Sequence, residues 1–331
     1  MDILISKSGK PVCSQEEYAN RREEIKEYLA TTVYGRIPPR PEHLRGDTLT
    51  KDESFAAGDA VLREITLTMT VDGKEFALPI RSVVPSGEGK FPAFIYVGYD
   101  SSIPNKYLPA EEIAEQGYAI FCLSYQDMFD DSKNSKSEIE KFIAPSKRRK
   151  DAPGRIALIA WAVSRIIEFM GTLHYIDMKN IAIIGHAMFA RVALVAGGYD
   201  ERIKYVILNN LEFGEQYISS DELFGKSFWD NPHGTADTLS LSLCVPRHII
   251  VCAATNDCIS DNRKGFENLA AMSDAYALFG LSGLPSDFID TDNPTTLRGD
   301  NILYRLRGGG SYLSRKDWNA YIDYINSVKS T

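Results

Sequence analysis

The chain has little of what metal and disulfide chemistry requires. Its 331 residues include only 5 histidines and 5 cysteines. No Cys-x-x-Cys and no His-x-x-x-His occurs, so no metal-ligand spacing is present and no cofactor is expected. The cysteines are odd in number and scattered, and Cys122 and Cys252 lie in apolar runs. That suits reduced core thiols in a cytosol better than a disulfide framework. Positive charge is also short: 37 Lys and Arg stand against 45 Asp and Glu, a formal charge of -8. This argues against nucleic acid or an anionic membrane as the main partner. The basic run Lys147-Arg148-Arg149-Lys150 reads as a solvated loop. No stretch approaches the roughly 18 apolar residues of a membrane span. Met1-Asp2-Ile3-Leu4-Ile5 lacks a basic n-region and a long apolar h-region, so a cytoplasmic location is expected unless a leader has been trimmed.

What is present is core. At 44% hydrophobic, the chain can bury a large interior. Ser14 before Gln15-Glu16-Glu17 reads as the N-cap of a helix carrying Tyr18 to Leu29. Tyr34-Gly35-Arg36-Ile37-Pro38-Pro39 stops it, and the segment to about Asp59 reads as polar connection. Val61–Thr70 and Phe76–Val84 alternate about Asp72-Gly73, a hairpin signal. From Phe91 the pattern changes. Apolar strands (Phe91–Val97, Tyr118–Leu123, Ile181–Ile184, Tyr205–Leu208, His248–Ala253, Ile302–Leu306) alternate with helical stretches such as Ile156–Met170, Gly265–Phe279 and Trp318–Val328. That predicts a mostly parallel sheet wrapped by helices.

The rest is organised around Ile181-Ala182-Ile183-Ile184-Gly185-His186-Ala187-Met188-Phe189-Ala190-Arg191. A short β-branched strand runs into a small-residue turn and then a helix. This is the architecture of a nucleophile elbow, which carries Ser, Cys or Asp at its tip. Here the tip is Ala187. The strand and helix fix both ends of the turn, which predicts a positive φ at Ala187.

Several further segments carry a resemblance: Ile113-Ala114-Glu115-Gln116-Gly117-Tyr118, Ile159-Ala160-Trp161-Ala162-Val163-Ser164-Arg165 with Ile176-Asp177, Val245-Pro246-Arg247, and Asp317-Trp318. With the Tyr34–Pro39 segment and the elbow, their order resembles that of the α/β-hydrolase carbohydrate esterases, the glucuronoyl-esterase and acetyl-xylan-esterase-like group. The resemblance implies an α/β-hydrolase fold with helices on both faces of a central sheet, preceded by an N-terminal helix and a β-hairpin. It implies one domain over 1–331, with 1–59 as a helical extension packed on it.

The same resemblance implies a serine, histidine and acid triad, and this chain departs from it. The family elbow reads Gly-x-Ser-Arg-x-Gly-Lys. Here the serine is Ala187, the arginine Met188, the glycine Ala190 and the lysine Arg191. The family's Gly-Gly-His becomes Gly308-Gly309-Gly310-Ser311, which puts Ser311 in the histidine's place. A hydroxyl of ordinary high pKa cannot act as a general base at neutral pH. The acid position falls on Asp257, with Asp261 second, or on Asn210 or Glu212 after the preceding strand.

Three readings fit these changes. A Ser-to-Ala trap needs one change, and here the arginine and histidine positions are altered too. An active hydrolase needs another nucleophile: Cys258 beside Asp257, or Ser101-Ser102 in the loop that would hold the oxyanion. None of His43, His174, His186, His233 and His248 obviously partners either. A natural pseudoenzyme is favoured, with a scaffold or interaction role left open. His186, Met188, Tyr99, Asp100, Asn210, Glu212, Trp229 and His233 are the candidate pocket residues, with Tyr125 and Phe213 nearby. Packing under the turn is the simpler role for His186. A carbohydrate or small-molecule ester ligand follows from the resemblance alone. The oligomeric state stays open.

Overall fold

Strands buried along almost their whole length make the middle of this molecule. In the computed structural model, which describes residues 2–129, 137–143, 150–212, 222–228 and 236–329, these are β4 (Phe91–Gly98), β5 (Ala119–Ser124), β7 (Ile203–Asn209) and β8 (His248–Ala254). Such runs carry β-branched and aromatic residues on both faces, as a sheet covered on both sides demands. The remaining strands are β1 (His43–Asp52), β2 (Ala60–Val71), β3 (Lys74–Pro85), β6 (Ile176–His186), β9 (Thr295–Arg298) and β10 (Ile302–Arg307). Among the described residues they form one sheet in the order β1-β2-β3-β5-β4-β6-β7-β8-β10-β9. The pairs from β5 across to β10 are parallel, and the pairs toward both edges are antiparallel.

The helices are α1 (Gln15–Thr32), α2 (Ala110–Glu115), α3 (Tyr125–Met128), α4 (Glu138–Ile143), α5 (Arg155–Met170), α6 (Met188–Tyr199), α7 (Ala236–Ser242), α8 (Asn262–Ala270), α9 (Ser273–Ala277) and α10 (Arg315–Lys329). Alternate strand residues sort the core in two. Ile95, Ile183, Val206 and Ile249 pack with α1, α5 and α6, while Phe94, Ile184, Ile207 and Ile250 pack with α2 and α10.

The hairpin forms at the expected place. Asp72 and Gly73 both have positive φ, 50° and 69°, and Val71 pairs with Lys74. A two-residue loop of that kind matches the twist of the strands it joins. Three expectations need correction. The segment to Asp59 contains β1, paired antiparallel with β2. It is a mostly exposed edge strand, so burial imposes little alternation on it. The helix expected over Gly265–Phe279 is two helices, α8 and α9. Edge strand β9 was also unforeseen, since it is only 4 residues long.

α1 is tied to the rest through its polar atoms. Ser14 Oγ accepts from the Glu17 N–H, as an N-cap does. Tyr18 Oη donates to the Ser242 carbonyl at 2.8 Å, and Arg22 donates to the Leu243 carbonyl at 3.0 Å.

One buried histidine makes stability depend on pH. His248 stacks on Tyr205 with ring centroids 4.8 Å apart, and its Nδ1 meets Tyr324 Oη at 2.9 Å. Burial, with Lys204 and Arg298 nearby, holds its pKa down at about 4. Above the ordinary histidine pKa of about 6.5, both the folded and unfolded chains are neutral here and nothing is lost. As pH falls from there toward about 4, only the unfolded chain takes the proton. That drains stability by up to about 3 kcal/mol. In urea titrations, His248→Gln should flatten the acid slope relative to wild type. Parallel slopes would show that His248 takes the proton in the fold.

Candidate functional site

The chain reverses its lateral direction between β4 and β6. It passes from β4 to β5 on one side and returns to β6 on the other. Ligands of open α/β sheets bind outside the carboxyl ends of strands at such a point. Ala187 sits there, between the end of β6 and the start of α6. Its backbone has φ 53° and ψ -122°, the positive φ expected from the strand-turn-helix pattern. For an alanine that conformation costs on the order of 1 kcal/mol. The surroundings hold it. The Ala187 N–H donates to the Asn209 carbonyl at 3.0 Å, and its carbonyl accepts from the Ala190 N–H at 2.9 Å. Gly185 lets the first turn of α6 close over the strand. A Cβ there would overlap the Phe189 carbonyl and lie 2.7 Å from the Ala190 nitrogen.

The neighbouring candidates fall at the same sheet end. His186 ends β6, half-buried. Its Nδ1 meets Asn209 Oδ1 at 2.7 Å, and its ring lies 5.2 Å from that of Tyr107. Tyr107 in turn lies 5.0 Å from Tyr312, which follows Ser311. Ser311 itself is exposed in the loop after β10. Burial holds the His186 imidazole below the ordinary histidine range. Arg307 adds to this, and Asn209 and Asp257 work against it. On the other side of the turn, Tyr99 stacks on Tyr125 at 5.9 Å, and Tyr125 meets Phe189 edge-on at 6.1 Å. Met188, half-buried, packs against the core.

The acid candidates divide. Asp257 and Asn210 are joined, with Asn210 Nδ2 donating to Asp257 Oδ2 at 3.1 Å. Asp257 Oδ1 accepts from the Ile259 N–H at 3.0 Å and the Ser260 N–H at 3.3 Å, so this carboxylate also holds its own loop. Asn210 has φ 50°. Burial pushes the Glu212 carboxyl above its ordinary range, with Arg191 opposing and Asp257 adding. Asp261 caps α8 instead, accepting from the Lys264 N–H at 2.9 Å. Of the proposed nucleophiles, Cys258 is exposed. Ser102 spends both its N–H and its hydroxyl on Asp100 Oδ1. Arg191 turns inward. It pairs with Asp237 and donates to the Glu212 carbonyl at 2.5 Å. Trp229, His233 and Phe213 lie outside the described residues.

Asn209, Tyr107, Tyr312 and Tyr321 were not foreseen. Asn209 is fully buried, and its Nδ2 donates to Tyr321 Oη at 2.7 Å. The one sequence signal was a pair of asparagines ending an apolar strand.

Comparison with known proteins agrees with this geometry. The family profile described as fungal glucuronyl esterase matches residues 67–214. The carbohydrate esterase MZ0003, from an unknown prokaryotic organism, is 22% identical over 98% of this chain and 88% of its own length. The solved glucuronoyl esterase from Solibacter usitatus superposes with a TM-score of 0.87 at 21% identity, covering 99% of this chain and 97% of that one. A serine-to-alanine mutant of the Sporotrichum thermophile glucuronoyl esterase, in complex with methyl 4-O-methyl-β-D-glucopyranuronate, superposes at 0.70 with 21% identity, covering 99% and 87%. The fold is that of the α/β-hydrolase glucuronoyl esterases, and residues 67–214 of this chain match their family profile.

Proposed function

We propose that this protein is a catalytically silent member of that group, which binds a carbohydrate or uronate-ester ligand without turning it over. The observation that carries the reading is the tip of the turn. The backbone keeps the strained φ of 53°, yet the side chain is a methyl group with no lone pair. Ser311, in the place the resemblance gives to the histidine, offers no neutral-pH base. Removing nucleophile and base together leaves only residual oxyanion and binding effects. Aromatic rings flank the turn on both sides, and such faces suit sugar rings. The complex of a serine-to-alanine relative with a glucuronate ester supports binding without turnover. All five cysteines are unpaired, which fits a reducing compartment such as the cytoplasm.

The test is a panel of aryl acetates and glucuronate esters. Wild type is expected to match buffer. The double variant Ala187→Ser with Ser311→His should exceed it, since the turn is already in place. Clear wild-type turnover would transfer the site to Cys258 or to Ser101-Ser102.

A further inference from the structure

A hydrogen-bond chain of Tyr321, Asn209 and His186 runs under the turn. Tyr321 Oη accepts from Asn209 Nδ2 at 2.7 Å. The Asn209 carbonyl oxygen then faces His186 Nδ1 at 2.7 Å and can only accept from it. The imidazole proton is placed on Nδ1 by the Asn209 amide, whose NH2 end is held by Tyr321. Nε2 is left with a bare lone pair.

That lone pair is open to the site. His186 is half-buried, and Nε2 is not among the buried polar atoms lacking a partner, so solvent reaches it. Among the described residues no side chain or backbone group donates to it.

We infer that His186 Nε2 is a fixed hydrogen-bond acceptor that reads a hydroxyl of the bound sugar, and that Asn209 and Tyr321 are positioning residues that set its tautomer. This rests on the binding function proposed above. It gives the ligand a required donor, so a polyol or sugar fits and an aprotic ester does not. The charged and titratable groups facing the ring are Arg307 from the end of β10, Asp257 from the loop after β8, and Tyr107. Their balance with burial keeps the ring neutral near neutral pH. Binding should therefore be flat there and fall only when pH drops below the ordinary histidine range.

Two measurements test this. The first is a nitrogen-15 histidine spectrum of the wild-type chain near neutral pH, which is expected to show His186 as the Nδ1–H form. Tyr321→Phe breaks the relay and should mix the tautomers, which loss of packing alone does not do. A wild-type Nε2–H or cationic ring overturns the inference. The second is calorimetry with methyl β-D-glucopyranuronate. His186→Phe keeps a ring against Tyr107 but has no acceptor, and should bind about 10-fold more weakly, the loss of one net hydrogen bond. Equal affinity overturns this inference and leaves the proposed function standing. No binding by the wild type overturns both.

Discussion

Gly185→Ala is expected to destabilise the chain by about 3–5 kcal/mol, a loss reserved for changes with a named steric cause. A methyl at this position overlaps backbone, the Phe189 carbonyl, and not a side chain that can swing away. Relief requires moving α6 off β6. Both are buried centrally: Val192, Ala193 and Leu194 of α6 and Ile181 to Ile184 of β6 are at most 2% exposed. Close-packed interiors transmit such shifts and do not absorb them. Gly310→Ala is the control. No atom lies within 4 Å of the added carbon there. It should fall within about 0.5 kcal/mol of wild type. Urea denaturation of both variants measures the difference. A Gly185→Ala midpoint equal to that of Gly310→Ala would mean the turn is not built as described.

The second large effect is expected at Asp237. Its partner Arg191 is buried and also donates to the Glu212 carbonyl. Removing one member of a buried pair leaves the other charge without its counterion, which costs about 3–5 kcal/mol. Asp237→Ala should show this in the same titration. Glu27→Ala cuts an exposed pair with Arg36 and should leave the midpoint nearly unchanged. The contrast also concerns function. Arg191 stands where the group's elbow has a lysine, yet here it braces the loop holding Glu212. If Asp237→Ala leaves stability intact and changes only ligand affinity, Arg191 belongs to the binding site and not to the core.

How legible this was depends on range. The turn at Ala187 could be read because its signal is local: four apolar residues, a glycine, then small helical residues. The Asp72-Gly73 hairpin was legible for the same reason. Strand β1 was not, because an exposed edge strand need not alternate. Nor was the polar relay. His186 and Asn209 are 23 residues apart, and Asn209 and Tyr321 are 112 apart. Periodicity carries no trace of such pairings, since each member alone reads as an ordinary core residue. The resemblance led to Asp257 and Glu212 as acids. It could not show that Asp257 also bonds Asn210 and its own loop.

The central claim is that the turn survives without a nucleophile. The most direct measurement is the intact mass of the wild-type chain after exposure to a fluorophosphonate probe, with Ala187→Ser/Ser311→His treated in parallel. The account predicts no mass gain for the wild type and a gain at position 187 in the double variant. A wild-type adduct mapped to Cys258, Ser101 or Ser102, accompanied by ester turnover, would contradict it.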